Sequence, residues 1–382
     1  MFTQHIKHCL AATAMLLCSF LSSAHDFEVG GVYYNITSTI DVTVAVTYQG
    51  NSVNSYSDEY SGAVFIPPVV TYGDKIYRVV SIEGGTFRGC GSLTSVVISE
   101  GVTNIGDRTF EECSNLTSIT LPESLTNIGT CAFYLCKSLS SINIPESVTN
   151  IGESAFGGCK SLTSMNIPGK VESIERATFS GCSNLSSVNI SEGVAKICMY
   201  AFSNCSRLTS ITLPKSLTSI ESAAFVDCWE ITDIHIGSIE SWLTIKYGNE
   251  YSHPNYLAGK VNLYMNGVLL TEVEIPSSVT GIGDWAFEGC GHLTSITIPE
   301  GVVSIGDNAF DDCSSLISIS IPQSGTRNDD RLYHPDEFSR ILQVRRQLAS
   351  HPGWEALELL LKNIRRTQNN AELLISGLLD KK

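Results

Sequence analysis

Positive charge is scarce in this sequence. It carries 24 Lys and Arg against 39 Asp and Glu, a formal net charge of −15, and a chain this acidic repels phosphate backbones and anionic lipid surfaces. The deficit lies in residues 25–326, with 13 basic against 31 acidic side chains, whereas residues 327–382 hold 10 against 8. Nucleic acid is therefore not an expected partner. Long apolar runs are missing too, so no transmembrane segment is expected: a spanning helix needs about 20 consecutive apolar residues. The run from Cys9 to Leu21, followed by Ser22-Ser23-Ala24, is shorter and has the form of a cleavable secretory signal over residues 1–24. Beyond residue 25, histidine is limited to the scattered His235, His253, His292, His334 and His351. Gly-x-Ser-x-Gly, Walker and dinucleotide fingerprints are absent, leaving no catalytic residue and no cofactor to assign. The cysteine and histidine spacings build no zinc-site framework, so no metal is expected.

What the sequence has in abundance is a period. Phe87, Phe110, Phe133, Phe156, Phe179, Phe202 and Phe225 follow one another at 23-residue steps, and Phe287 and Phe310 resume the same step. Three residues after each stands a cysteine: Cys90, Cys113, Cys136, Cys159, Cys182, Cys205, Cys228, Cys290 and Cys313. One unit reads Leu116-Thr-Ser-Ile119-Thr-Leu121-Pro122 and continues through Leu125, Ile128-Gly129 and Ala132-Phe133 to Cys136. Alternation points Ile119 and Leu121 inward and Ser118 and Thr120 outward, as in the short strand of a leucine-rich repeat. Pro122 ends that strand by removing a ladder donor, and Gly129 permits a turn. A single coil cannot bury both its sides, so coils must stack into one core. Parallel strands about 4.8 Å apart would carry roughly a dozen coils over about 55 Å.

The unit Leu-x-x-Ile-x-Ile-Pro-x-x-Val-x-x-Ile-Gly-x-x-Ala-Phe-x-x-Cys, seen from Leu139 to Cys159 and from Leu293 to Cys313, resembles the BspA-like leucine-rich repeats of bacterial surface and secreted proteins over residues 76–322. The resemblance implies a non-catalytic scaffold, secreted or on the cell surface, that binds or adheres to an extracellular protein or glycan. It names no ligand and carries no shared catalytic residues. The expected fold class is an α/β-type repeat protein, a solenoid of 23-residue repeats with a parallel β ladder. Its expected organisation is a signal peptide at 1–24, an N-terminal β cap at 25–75, repeats at 76–228, an enlarged irregular module at 229–275, repeats at 276–323 and a helical segment at 324–382.

The last segment departs from the repeat. Phe338, Ile341, Leu342 and Leu348, then Trp354, Leu357, Leu361 and Ile364, then Ala371, Leu374, Ile375 and Leu378 form apolar stripes at helical spacing. These predict two or three helices that act as a cap, a self-association contact or a docking element. A purely structural, self-associating surface protein is thus an alternative function. A hydrolase with its site in the irregular regions is a weaker one.

The enlarged module concentrates aromatic side chains: Trp229, Trp242, Tyr247, Tyr251, Tyr256 and Tyr264. These are either a ligand-contacting protrusion or a small satellite core. Asn266-Gly267 between two apolar runs predicts a hairpin. Outward strand positions form columns of Ser and of Thr or Asn, suited to stacked solvated strands or to hydrogen-bonding a ligand. The columns break at Asp233 and His235, so Asp233, His235, Trp242, Tyr247, Tyr251 and Tyr256 are the candidate contact residues. Phe110, Phe133, Phe156, Phe179 and Phe202, with Cys113, Cys136, Cys159, Cys182 and Cys205, are expected to form the structural ladder. Its thiols are expected to be buried as small hydrophobes, against the alternatives of a disulfide framework or a metal array. Cys131 and Cys198 lie outside it, as a pair or as free thiols.

Overall fold

Each 23-residue unit folds into one coil with short strands on two of its sides. In the strand Ser164–Ile167, Met165 and Ile167 are buried while Ser164 and Asn166 are exposed, as the two-residue period requires. Pro168 follows and its carbonyl accepts the amide of Val171, closing the turn that leaves the strand; Pro122, Pro145, Pro214, Pro276 and Pro299 do the same in their coils. The chain then forms a two-residue strand, Ser173–Ile174. The computed structural model describes residues 25–50, 59–254, 261–306, 309–310 and 312–320.

Strands of successive coils pair in parallel and in register. Ser164–Ile167, Ser187–Ile190, Ser210–Leu213, Asp233–Ile236 and Asn262–Met265 make one ladder. It runs without a break through the first part of the enlarged module. A second ladder, on another side of the coil, joins Asn104–Ile105, Asn127–Ile128 and Asn150–Ile151, and farther on Ser173–Ile174, Lys196–Ile197, Ser219–Ile220 and Lys246–Tyr247. Asn127 Nδ2 donates to Asn104 Oδ1 at 2.6 Å and Asn150 Nδ2 to Asn127 Oδ1 at 2.7 Å. The glycines after these isoleucines are required by packing. A Cβ on Gly129 or Gly152 would stand 2.6 and 2.5 Å from a backbone nitrogen of the preceding coil.

The third side carries the phenylalanines. In one coil the amides of Arg108, Phe110 and Glu112 donate to the carbonyls of Thr130, Ala132 and Tyr134 in the next. Alternate residues aim their N–H groups onward because Arg108 and Glu112 take the left-handed conformation, φ 56° and 63°. From Phe87 to Phe225 the rings stack at centroid distances that widen from 4.9 Å to 5.4 Å, with planes within 9°. Every ladder cysteine from Cys113 to Cys228 donates its thiol to the phenylalanine carbonyl of the preceding coil, at 2.9–3.2 Å. The ladder thiols are thus buried as expected, and each also satisfies a buried carbonyl. Among the described residues no cysteine is in a disulfide, Cys131 and Cys198 included.

Two left-handed turns per coil, at Ala177 and Gly181 for example, interrupt any helical run on this side. This corrects the α/β-type expectation: the fold is a β-solenoid with little helix. Among the described residues the only α-helix is Ile239–Thr244, and Glu250–Ser252 forms a single 3-10 turn. At the N-terminal end, Phe27–Val29, Val32–Ser38 and Thr43–Thr47 pair antiparallel, and Thr43–Thr47 then runs parallel to Lys75–Ile82. Tyr60 closes the aromatic stack with its ring 4.5 Å from Phe87, and its hydroxyl donates to the Thr47 carbonyl at 2.7 Å. The expected signal peptide and the expected helical segment at 324–382 lie outside the described residues.

Candidate functional site

The outward positions of the long strand ladder build the site. Register places Asp233 beside Ser210 and Asn262 beside Asp233; on the neighbouring column His235 follows Thr212 and Tyr264 follows His235. Two columns of small polar side chains therefore end in a different chemistry. Asn262 Nδ2 donates to Asp233 Oδ1 at 2.9 Å. The His235 and Tyr264 rings lie 4.8 Å apart with planes 17° from parallel. All four residues are half-buried, with one edge on the sheet and the other toward solvent. Asn262–Met265 is held there by a hairpin to Val268–Leu269, closed by Asn266 and Gly267 at φ 52° and 75°, the geometry that a two-residue connection needs.

The other candidate residues are placed differently. Trp242 is 2 % exposed and its Nε1 donates to the Ala286 carbonyl at 2.6 Å, so it is a core residue tied to the coil of Phe287. Tyr247 pairs in register with Ile220 and so occupies the isoleucine position of its coil, half-buried against the core with its hydroxyl turned inward. The helix Ile239–Thr244 lengthens this coil between its two strands, and the longer spacing hides the equivalence in the sequence. Tyr251 is 39 % exposed on the 3-10 turn, and Tyr256 lies outside the described residues. Asn262 and Tyr264 complete the patch. Aligning Asn262-Leu263-Tyr264-Met265 with Asp233-Ile234-His235-Ile236 by their alternation would have found them.

Beneath the module sits a buried polar cluster. His253 is 1 % exposed with neither ring nitrogen hydrogen-bonded, 4.6 Å from the Tyr247 ring and 5.3 Å from that of Trp242. Burial alone lowers its pKa to about 3, so the ring is neutral near pH 7. The Tyr247 hydroxyl also lacks a partner, and burial raises its pKa. Among the described residues no group of three or more His, Cys, Asp and Glu is arranged to hold a metal ion. None of the described helices is long and apolar enough to cross a membrane. What the outer patch offers is a flat aromatic pair, a carboxylate and an amide, which suit non-covalent recognition.

Parallel coils of this length, with a phenylalanine and a cysteine on one side and a short strand on another, define a leucine-rich-repeat solenoid. The chain belongs to the BspA type leucine rich repeat family, whose profile matches in six copies over residues 80–198, 173–246 and 260–342. It is a family of repeat scaffolds, generally non-catalytic. Among solved structures, the chain is similar to a leucine-rich cell surface protein of Faecalibacterium prausnitzii. That likeness is 24 % identity over 78 % of this chain and 96 % of the other, with a TM-score of 0.43. A leucine-rich repeat protein of T. pallidum is 26 % identical over 54 % of this chain and 90 % of its own, with a TM-score of 0.43. A separate, short likeness is to transcription termination factor Rho of Akkermansia muciniphila, 70 % identical over 56 residues. That stretch is 15 % of this chain and 12 % of the termination factor, so the chain spans only about an eighth of that protein's length.

Proposed function

We propose that this chain is a binding or adhesion protein, secreted or displayed at the cell surface, that holds an extracellular macromolecule against its outer strand face. The patch of Asp233, His235, Asn262 and Tyr264 is the centre of contact. One observation carries this reading: the Ser and Asn columns give way, in consecutive coils, to a stacked His–Tyr pair beside a carboxylate–amide pair. Aromatic side chains on a rigid sheet bring contact area at low entropic cost, and about 800 Å² per partner, the usual extent of a specific interface, fits on such a face. The family's surface and secreted occurrence supports the location. The 56 residues that resemble the termination factor add no activity to this reading.

The test is capture of the purified chain on immobilised extracellular-matrix proteins and on host-cell surfaces, followed by surface plasmon resonance. Saturable binding weakened about tenfold or more by Tyr264→Ala with His235→Ala, roughly the loss of 1.4 kcal/mol or more, supports the assignment. Retention of full affinity by the double variant removes the patch from the function. Absence of any saturable binding removes the function itself.

A further inference from the structure

We propose that a second surface, a trough that ends at Trp229, is a binding site for a neutral oligosaccharide. The proposal rests on the surface-binding role above and assigns a ligand class at a different place on the same solenoid. The trough has a volume of about 460 Å³ and runs across consecutive coils beside the entry to the long strands. Its walls come from two columns of the repeat. Gly181, Asn204 and Asp227 are the left-handed residues of three consecutive coils, φ 74°, 57° and 62°. Ser183 and Ser206 follow their ladder cysteines, and Trp229 follows the next.

Hydrogen bonding separates this trough from the rest of the polar surface. Along the adjoining column, Thr117, Thr163, Ser186, Thr209 and Thr232 each donate a hydroxyl to a carbonyl of the preceding coil. Those hydroxyls maintain the solenoid. The side chains of Ser183, Asn204, Ser206 and Asp227 make no hydrogen bond among the described residues. Their donors and acceptors line the trough with nothing in the fold to satisfy. Trp229 is 54 % exposed although it follows the buried Cys228, whose thiol is tied to the Phe202 carbonyl at 3.0 Å. The indole is thus mounted on a fixed turn, and a preorganised platform lowers the ordering cost of binding.

The composition selects the ligand. A pyranose presents an apolar face of C–H groups, which packs on a flat indole, and an edge of hydroxyls, which pair with amide, carboxylate and hydroxyl side chains. The lining provides one aromatic platform, one amide, one carboxylate and two hydroxyls, and no aliphatic side chain to receive the apolar anchors of a peptide. A phosphate-bearing ligand is disfavoured, since Lys160 is the lining's one cation and Asp227 repels anions. The extent also suits a chain of sugars: coils here advance about 5.4 Å per step, and the lining spans the four coils from Lys160 to Trp229.

The experiment titrates the full chain with maltohexaose, chitohexaose and mannohexaose by calorimetry, with tryptophan fluorescence recorded in parallel. Binding of at least one hexasaccharide with fluorescence quenching is expected. Trp229→Ala and Asn204→Ala should each weaken it about tenfold or more, Trp229→Phe should retain most of it, and thermal unfolding should stay unchanged because Trp229 is exposed. Failure of all three hexasaccharides to bind overturns the proposal, as does binding that is indifferent to Trp229→Ala. Capture on cell surfaces is measured with the same variants. In the unsubstituted chain, capture that persists without any sugar binding sinks the trough and leaves the surface role standing; absence of both sinks both. Capture of a protein that requires Trp229, with no sugar bound, replaces the ligand class.

Discussion

The coils between Phe87 and Phe225 and the module at residues 229–275 solve the same packing problem with different side chains. In the regular coils each core position meets a copy of itself: Phe on Phe, Ile beside Ile, thiol on carbonyl. In the module, Tyr247 takes the place of an isoleucine, and Trp242 packs edge-on against the buried His253. The backbone ladders continue through both. The frame thus tolerates a change of side chain where register is kept, at the cost of buried polar groups. His253 and the Tyr247 hydroxyl lack hydrogen bonds, whereas the core thiols of the regular coils have them. The module is therefore where the solenoid is electrostatically vulnerable.

Acid should break the comparison most sharply. The folded-state pKa of His253 is lowered to about 3, below the unfolded value near 6.5. Its unfolded state therefore binds the proton first, and stability is fully present above about pH 6.5 and is lost as pH falls toward 3. The loss is on the order of 4 kcal/mol at pH 3, from about 1.4 kcal/mol per unit. Hydrogen-exchange protection, corrected for the intrinsic rate at each pH, should fall in 245–253 before it does in 150–182 as pH drops from 7. His253→Phe should abolish this difference, and its persistence would locate the acid sensitivity elsewhere.

Truncation of the stack comes next. Phe156→Ala should cost about 3–5 kcal/mol in denaturant unfolding, because its neighbours in both directions are rings that cannot collapse into the space. A cost below about 1 kcal/mol would mean that the coils do not depend on self-contact. Smaller still, Cys159→Ala should cost about 1–2 kcal/mol, from lost packing and a weak S–H···O bond. In the native chain Cys159 should resist iodoacetamide while Cys131 reacts first, read by peptide mass spectrometry. Burial holds the Cys159 thiol protonated, whereas Cys131 is only half-buried. Tyr264→Ala, on the outer face, should cost about 0.5–1 kcal/mol, from the lost stack on His235, the smallest effect of the four.

The 23-residue step, the aromatic stack, the buried thiols, the long strands and the Asn266-Gly267 hairpin were all legible in the residues, because each repeats often enough or is local enough to leave a pattern. The second ladder was not, since a two-residue strand such as Asn127–Ile128 is too short to show alternation. The thiol-to-carbonyl bonds were equally hidden, as they join residues 26 apart that only stacking brings together. Of the site, Asp233 and His235 stood out as breaks in a column. Their partners Asn262 and Tyr264 did not, because the extra residues around the helix Ile239–Thr244 disguised which residue faces which. The exposure of Trp229 had no sequence signal at all.

The ring spacing has a geometric corollary. The phenylalanine ring centroids repeat every 5.4 Å in the coils from Phe156 to Phe225, whereas hydrogen-bonded strands repeat about every 4.8 Å. A coil that is wider at its rings than at its strands is a wedge, and a row of wedges bends toward its thin edge. A bend in that sense would put the strand face that bears His235 and Tyr264 on its inside, where a guest is met from more than one direction.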